Sequence, residues 1–324
     1  MKTEAIIVGT DTKANLTEVE LPAVTDTRVR VETLVSGVSC GTESDSASGR
    51  ARYMPRPFIS GYQAVGQVVE TGKAVTGLNQ GDLVVTTGGD LWNMANLYGG
   101  SHARQSVAEA VALVKLSPAA PSLESSSYSV LAAVAYEGLA RMKLEKGKIL
   151  GVFGLGMLGQ LAGSIGRTLG LRVIGINRAQ WKRDLAKKAG FDLVCPPEAE
   201  AIKEAVKLLG AEGIQLAFET TGSQEIFDLA LQTLGRDGEL ALEAYYPDKI
   251  AVDFDICHGK NILIHNPVGF GQWIPEVVRL TETGHLNIDA LITHRITPGQ
   301  ITEFYAGLIK NHSNYLGAII DWRK

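Results

Sequence analysis

The chain has 324 residues, 45% of them hydrophobic and 20% charged, with a formal net charge of −4, enough for two domains with cores of their own. The mild acidity and the lack of any Lys/Arg tract argue against a nucleic-acid partner or an anionic membrane surface, and no window reaches the ~20 apolar residues that cross a bilayer. Glu4 and Asp11 interrupt any N-terminal secretion signal, and Cys40, Cys195 and Cys257 are too scattered and odd in number for a disulfide framework, so a cytoplasmic setting is expected.

Residues 1–115 read as short strands parted by Gly, Pro and Asn/Asp turns. RVRVETLVSGV (28–38) alternates apolar and polar residues like a half-buried strand. SGVSCGTES (36–44) reads as a glycine-flanked turn holding Cys40, and AVGQVVETG (64–72) and QGDLVVTTGG (80–89) as further strands. A glycine-rich loop follows over 88–105, in which LWNMANLY (91–98) gathers aromatic residues and Met, either as a wall for a large planar substrate or as packed loop core. The segment 121–143 has helical spacing after a polar start.

From there strands and helices alternate. KILGVFG (148–154), LRVIGIN (171–177), DLVC (192–195), LAFETTG (216–222) and ELALEAYY (239–246) read as strands. Helices are expected over 157–170, 179–190, up to Lys207, and over 225–235. Regular βα alternation predicts a parallel, doubly wound sheet. Beyond about Asn266 the pattern breaks into two helices and a last strand, AIIDW (318–322), in a tail expected to return to the first domain.

The strand-to-helix turn GVFGLGMLGQ carries Gly154-x-Gly156-x-x-Gly159, with Leu155, Met157 and Leu158 between the glycines. In a chain with 36 glycines the pattern alone is weak; following an apolar strand, opening a helix and preceding a second strand, it predicts a dinucleotide site. Gly154 would permit the tight turn, Gly156 the approach of backbone to a pyrophosphate, and Gly159 close helix–strand packing. The helix N-terminus would offer free N–H groups to the phosphates. At the end of the second strand stands Asn177, where an acidic residue would bind the ribose of NAD and repel a 2′-phosphate. Arg178 follows, then Lys182 and Arg183 one turn on. A guanidinium suits a phosphate, so NADP is the expected cofactor; the alternative is that Arg178 stacks on adenine and the basic residues form a solvated face.

With that site placed, the chain resembles the medium-chain dehydrogenase/reductase superfamily, on the zinc-type, alcohol dehydrogenase-like side. Ser36-Gly37-Val38-Ser39-Cys40-Gly41-Thr42 and Gly61-Tyr62-Gln63-Ala64-Val65-Gly66 look like its two catalytic-domain signatures, and the resemblance covers essentially the whole chain. It implies an α/β chain with a Rossmann doubly wound domain and a GroES-like β-rich catalytic domain. The expected division is 1–120 catalytic, 121–265 NADP-binding, and 266–324 returning to the catalytic part. LITHR (291–295), YGG (98–100) and IIDW (319–322) look most like the bacteriochlorophyllide a dehydrogenase branch. That branch typically has an acidic residue where Asn177 stands and Glu where Gln63 stands; this chain departs from it at both.

Zinc-dependent members carry Cys-Gly-Ser/Thr, then Gly-His-Glu, then a third ligand. Here Cys40 keeps the first position, Tyr62 and Gln63 take the next two, and residues 127–136 hold no Cys, His, Asp or Glu. A catalytic zinc needs at least three N, S or O ligands, so no metal is expected, and the cysteine-free stretch 80–105 lacks the structural zinc lobe. Cys40 then reads as a small buried residue. Without zinc, a carbonyl is polarised by hydrogen-bond donors. The resemblance puts Thr42 at the proton-relay position and Tyr62 at that of the zinc histidine, and His102 is the one histidine of the first domain. Their structural alternatives are a cap, a pocket wall and an exposed loop residue. Thr220 and Thr221, after the fourth strand, and Asn266 and Pro267, after the sixth, are expected to line the cofactor crevice.

The expected function is hydride transfer between NADP(H) and a small-molecule alcohol or ketone in an interdomain cleft. Reduction of an activated C=C or C=N bond is a second reading, and a non-catalytic NADPH-binding sensor or scaffold a third. The family implies a homodimer joined through the edge strand near 261–265.

Overall fold

The computed structural model describes residues 1–89, 100–118, 120 and 122–324. The aromatic stretch 91–98, and with it all but Gly100 of the YGG run, lies outside these residues. Early in the chain the elements are β1 (Lys2–Val8), β2 (Ala14–Glu20), β3 (Arg28–Val38), α1 (Cys40–Ser48), β4 (Phe58–Ile59), β5 (Ala64–Thr71), β6 (Leu83–Thr86), β7 (Gln105–Glu109), β8 (Val114–Lys115) and α2 (Leu123–Ser127). β3 spans the expected residues and alternates half-buried and buried positions until its last turn, where every residue is covered.

Two sequence expectations change here. Cys40 stands at the opening of helix α1, not in a turn. CGTESDSAS has no apolar stripe; the Glu43 carboxylate accepts the Ser39 N–H (2.9 Å) at the helix start, and Gly49 closes the helix in the left-handed region at φ 81°. The helix expected over 121–143 is broken at Tyr128. Its buried hydroxyl donates to the carbonyls of Val38 (3.0 Å) and Ala318 (2.8 Å) and accepts from Ala318 N (2.7 Å), which fixes the chain there.

The middle of the chain holds α3 (Ser129–Ala140), β9 (Ile149–Phe153), α4 (Met157–Thr168), β10 (Arg172–Ile176), α5 (Gln180–Lys188), β11 (Leu193–Cys195), α6 (Ala199–Leu208), β12 (Ile214–Glu219), α7 (Gln224–Thr233), β13 (Leu234–Leu242), α8 (Phe254–Lys260) and β14 (Leu263–His265). These six strands form one parallel sheet in the order β11-β10-β9-β12-β13-β14. Counted from β9, that is the 3-2-1-4-5-6 order of a doubly wound fold, with its switch point between β9 and β12. β9 is buried on both faces, as a parallel strand covered by helices must be. Phe153, Ile174, Phe227, Leu231 and Leu240 are central to a core closed by α6 and α7. Each such side chain contributes about 1.5–3 kcal/mol through burial.

The tail adds α9 (Ile274–Glu282), β15 (Ile292–Ile296), α10 (Ile301–Lys310) and β16 (Gly317–Asp321). β16 pairs antiparallel with β3 and parallel with β15, completing a sheet ordered β15-β16-β3-β5-β6-β8, with β7 also on β3. A smaller sheet runs β2-β1-β4. The chain divides into two compact units, Met1–Leu131 with Ile274–Lys324, and Ala132–Trp273. The divisions lie later than the expected 120 and 265 because α2 packs on β3 and β5, and α9 packs on α2. Among the described residues no helix is long and apolar enough to cross a membrane.

Candidate functional site

In the second unit the fingerprint turn sits at the switch point. Gly154 has φ 100°, donates its N–H to the Ile176 carbonyl (2.9 Å), and has no room for a Cβ, which would stand 2.4 Å from Thr220 Oγ1. Thr220 ties the two central strands by donating its hydroxyl to the carbonyls of Phe153 (3.2 Å) and Gly154 (3.1 Å). A Cβ on Gly159 would lie 1.9 Å from the Gly154 carbonyl oxygen, so helix and turn touch there. Gly156 differs: it is the N-cap of the twelve-residue α4, and a Cβ on it would meet nothing within 4 Å. The cradle therefore has its open side where free helix N–H groups await an anion, and it fits a dinucleotide pyrophosphate. Leu155 and Met157 are buried and Leu158 half-buried, so Leu155 and Met157 would contribute main-chain atoms.

At the end of β10, Asn177 Oδ1 accepts the Ala179 N–H (2.9 Å) and shapes the turn into α5. Arg183 clamps that turn by donating to the carbonyls of Asn177 and Arg178 (2.8 Å to the latter). Arg178 is exposed beside it. Lys182 is buried along its stem, with Nζ 5.2 Å from the centre of the Trp181 ring, and its carbonyl accepts from Gln160 Nε2 (2.9 Å). The structure thus gathers Asn177 and Arg178 at the strand end and turns Lys182 onto the indole. Thr221 donates through both its N–H (2.5 Å) and its hydroxyl to the buried Glu219 carboxylate, which also accepts from Gly222 N (3.2 Å) and the Tyr246 hydroxyl. Burial, and then the Glu219 charge, push the Tyr246 phenol far above its ordinary range. Asn266 and Pro267 follow edge strand β14, the first exposed and the second half-buried.

One residue here has no sequence signal. Glu243 follows β13, at the carboxyl edge of the sheet, and its Oε1 is buried without a hydrogen-bond partner. Burial, and then the Glu137 charge, raise its pKa to about 8. Burial would raise Glu137 as well, but donors from Trp273 Nε1 (2.5 Å), Gln272 Nε2 (3.0 Å) and Arg141 Nε (2.6 Å) outweigh it and hold Glu137 below the usual carboxylate range. Two neighbouring carboxyls are thus driven apart in acidity.

In the first unit, α1 and the turn after β4 bring Thr42 and Tyr62 to one small pocket with about 10 Å³ of free space, room for about one water, shared with Glu43, Ser46, Met54, Phe58, Ile59 and Gly61. Thr42 Oγ1 accepts from the Ser39 hydroxyl (3.1 Å), which leaves the Thr42 proton to donate outward. Ser39, part of the first signature, is a contributor to which the sequence alone assigns no role. His102 corrects the expectation of a proton donor to substrate: the ring is fully buried and both nitrogens are engaged, by Ser36 Oγ (2.8 Å) and the Glu43 carboxylate (3.1 and 3.3 Å).

The positions that zinc would occupy in the family do not fit it. Cys40 is buried and its thiol contacts the Val38 carbonyl (3.8 Å). Gln63 spends Oε1 on the Leu131 N–H (3.1 Å), and Tyr62 brings a phenol. Among the described residues no group of three or more His, Cys, Asp or Glu side chains could hold a metal ion.

Comparison with known proteins agrees with this architecture. Residues 25–118 match the alcohol dehydrogenase GroES-like domain, and residues 158–282 match the zinc-binding dehydrogenase family. The chain is 26% identical over 309 residues to L-threonine 3-dehydrogenase of Pyrococcus horikoshii, covering 87% of this chain and 88% of that protein. It is also 26% identical over 339 residues to 2-desacetyl-2-hydroxyethyl bacteriochlorophyllide A dehydrogenase of Cereibacter sphaeroides, covering 100% and 99%. Among solved structures, a Sinorhizobium meliloti protein described as a zinc-binding dehydrogenase, with NADP bound, superimposes with a TM-score of 0.86 at 18% identity, over 99% of this chain and 100% of that one.

Proposed function

We propose that this chain, whose two parts match the GroES-like and zinc-binding dehydrogenase families of the zinc-type, alcohol dehydrogenase-like medium-chain dehydrogenases/reductases, is an NADP(H)-dependent oxidoreductase that works on a small-molecule alcohol or ketone without a metal ion. The named relatives are dehydrogenases of alcohol-bearing substrates. The observation that carries the reading is the cavity lined by both Thr42 and Tyr62, at positions where the ligand set of a zinc enzyme has been replaced. When bound, the dinucleotide supplies or accepts hydride at C4 of its nicotinamide. The chain's own part is to hold and polarise the other reactant. Thr42, which accepts from the Ser39 hydroxyl and so keeps its own proton free, donates that proton to the substrate oxygen. Tyr62 offers a second hydroxyl from the facing turn. Oriented donors of this kind are each worth about 3–4 kcal/mol of barrier when aimed at a developing oxyanion.

NADP is favoured over NAD by the neutral Asn177 and the exposed Arg178 at the end of β10, since a carboxylate there would repel the 2′-phosphate. A homodimer through the edge strand β14, on which Leu263 is 54% exposed, and a cytoplasmic location complete the proposal. The test is NADPH consumption against ketones, quinones and enals. Turnover restricted to ketones, with the reverse reaction on the matching alcohols, supports the reading. Turnover on enals or quinones alone replaces it with C=C reduction, and tight NADPH binding with no turnover replaces it with a sensor.

A further inference from the structure

The first unit contains a buried polar chain that the proposed chemistry does not use. Trp322, Ser36, His102, Glu43 and Tyr305 come from the chain end, β3, the loop before β7, α1 and α10, and none is more than 3% exposed. Donors and acceptors fix its direction. The Trp322 indole N–H can only donate, and does so to Ser36 Oγ (2.9 Å). The Glu43 carboxylate accepts from Ser39 N–H (2.9 Å) and from the Tyr305 hydroxyl. His102 Nε2 faces both oxygens of that carboxylate at 3.1 and 3.3 Å, so the ring proton belongs on Nε2. Nδ1 is then an acceptor, and the Ser36 hydroxyl, 2.8 Å away, has its proton free to fill it. Every hydrogen in the chain finds an acceptor in only this arrangement, and it converges on the Glu43 carboxyl group.

The chain also joins the two segments that carry the proposed hydroxyls. Glu43 is the residue after Thr42 in the first turn of α1. On the other side the imidazole lies flat against Gly61, where a Cβ would stand 2.5 Å from Nδ1 and φ is 82°. The main chain doubles this contact: His102 N donates to the Ser60 carbonyl (3.0 Å), Ser101 N to the Gly61 carbonyl (3.0 Å), and Gln63 N to Ser101 Oγ (2.8 Å). The next residue after Gly61 is Tyr62.

We propose that His102, as its Nε2–H tautomer, is a positioning residue whose bond to Glu43 sets the first turn of α1 against the Gly61–Tyr62 turn, and so fixes the spacing of the Thr42 and Tyr62 hydroxyls. The inference rests on the reading that those two hydroxyls act on the substrate. A displacement of about 1 Å in such groups costs about 100-fold in rate, which sets the expected scale.

The experiment compares His102→Gln, His102→Asn and His102→Leu in the full chain. Gln can place an amide N–H near the position of Nε2 and keep the bond to Glu43; Asn reaches only the Ser36 side; Leu makes neither bond. Expected are a kcat about 100-fold lower for Leu and Asn, recovery to within about tenfold of wild type for Gln, and an unchanged NADPH Kd in all three. Wild-type kcat in the Leu and Asn variants overturns the proposal. So does an equal kcat loss in all three that follows the fall in melting temperature, since that marks a structural role alone. The nitrogen NMR spectrum of ¹⁵N-histidine-labelled wild-type protein at neutral pH supplies a readout independent of turnover. It should show His102 protonated at Nε2 and bare at Nδ1; a proton on Nδ1 overturns the proposal even if no substrate is found, whereas a wild-type protein inert on every ketone overturns only the functional reading.

Discussion

Replacing Gly156 by alanine separates binding from stability in the dinucleotide cradle. The backbone at this N-cap has φ −69° and ψ −176°, which alanine adopts without strain, and an added Cβ meets nothing within 4 Å. Alanine is a poorer N-cap than glycine by about 0.5–1 kcal/mol, or a melting-temperature loss of about 2–4 °C for a unit of this size. The methyl nevertheless occupies the open side of the cradle. Keeping a phosphate oxygen at van der Waals distance from it lengthens the N–H···O bonds by about 1 Å, and each charge-assisted bond weakened in this way is worth about 1.5–3 kcal/mol. The NADPH Kd is therefore expected to rise about 10- to 100-fold, read by fluorescence titration, with the melt lowered by no more than those few degrees. Gly159→Ala is the contrast: its Cβ would lie 1.9 Å from the Gly154 carbonyl oxygen, a backbone atom that cannot yield cheaply. That variant should lose about 3 kcal/mol of stability or more. Wild-type affinity in Gly156→Ala, or equal melting losses in the two variants, would refute the placement of the pyrophosphate.

Further outcomes follow from other groups. Glu243 titrates near 8 in the folded protein against 4.5 when free, so its contribution is intact below pH 4.5 and is lost as pH rises through 8. The ceiling is about 5 kcal/mol, reduced to about 2 kcal/mol by water at this half-buried residue. Glu243→Gln should melt several degrees higher than wild type at pH 9.5 but not at pH 4.5; identical pH profiles would remove the desolvated carboxyl from the account. Asn177→Asp should lower the NADPH-to-NADH ratio of kcat/KM by at least about tenfold, because the new charge repels a 2′-phosphate. Thr42→Ala and Tyr62→Phe should each reduce kcat about 100- to 1000-fold, with the NADPH Kd unchanged.

The second unit was largely legible in the sequence because its strands are continuous apolar runs and its helices have clear stripes. Gly154, Gly156 and Gly159 fell where a strand-to-helix turn demanded them. β3 was legible for the opposite reason, one wet and one dry face. Helix α1 was not, because its buried side includes Cys40, Glu43, Ser44 and Ser46, and a helix that buries polar groups leaves no apolar period. β15, in the tail, has alternating half-buried and exposed residues after its first position and shows no apolar signal. α8 depends on Asp253 capping Ile256 N (3.0 Å) and on Asn261 closing it at φ 55°, which are local signals that pass easily for a loop. The burial of His102 and its bond to Glu43 link residues 59 apart, and the orphaned oxygen of Glu243 depends on what packs over it. Neither is a property of any sequence window.

The central claim is that hydroxyl donors, and not a metal ion, polarise the substrate oxygen. Its most direct test is the NADPH-dependent ketone reductase rate of protein dialysed exhaustively against a chelator, measured before and after adding zinc. The account predicts one rate throughout, with no stoichiometric metal retained; a rate that disappears on chelation and returns with one equivalent of zinc would contradict it.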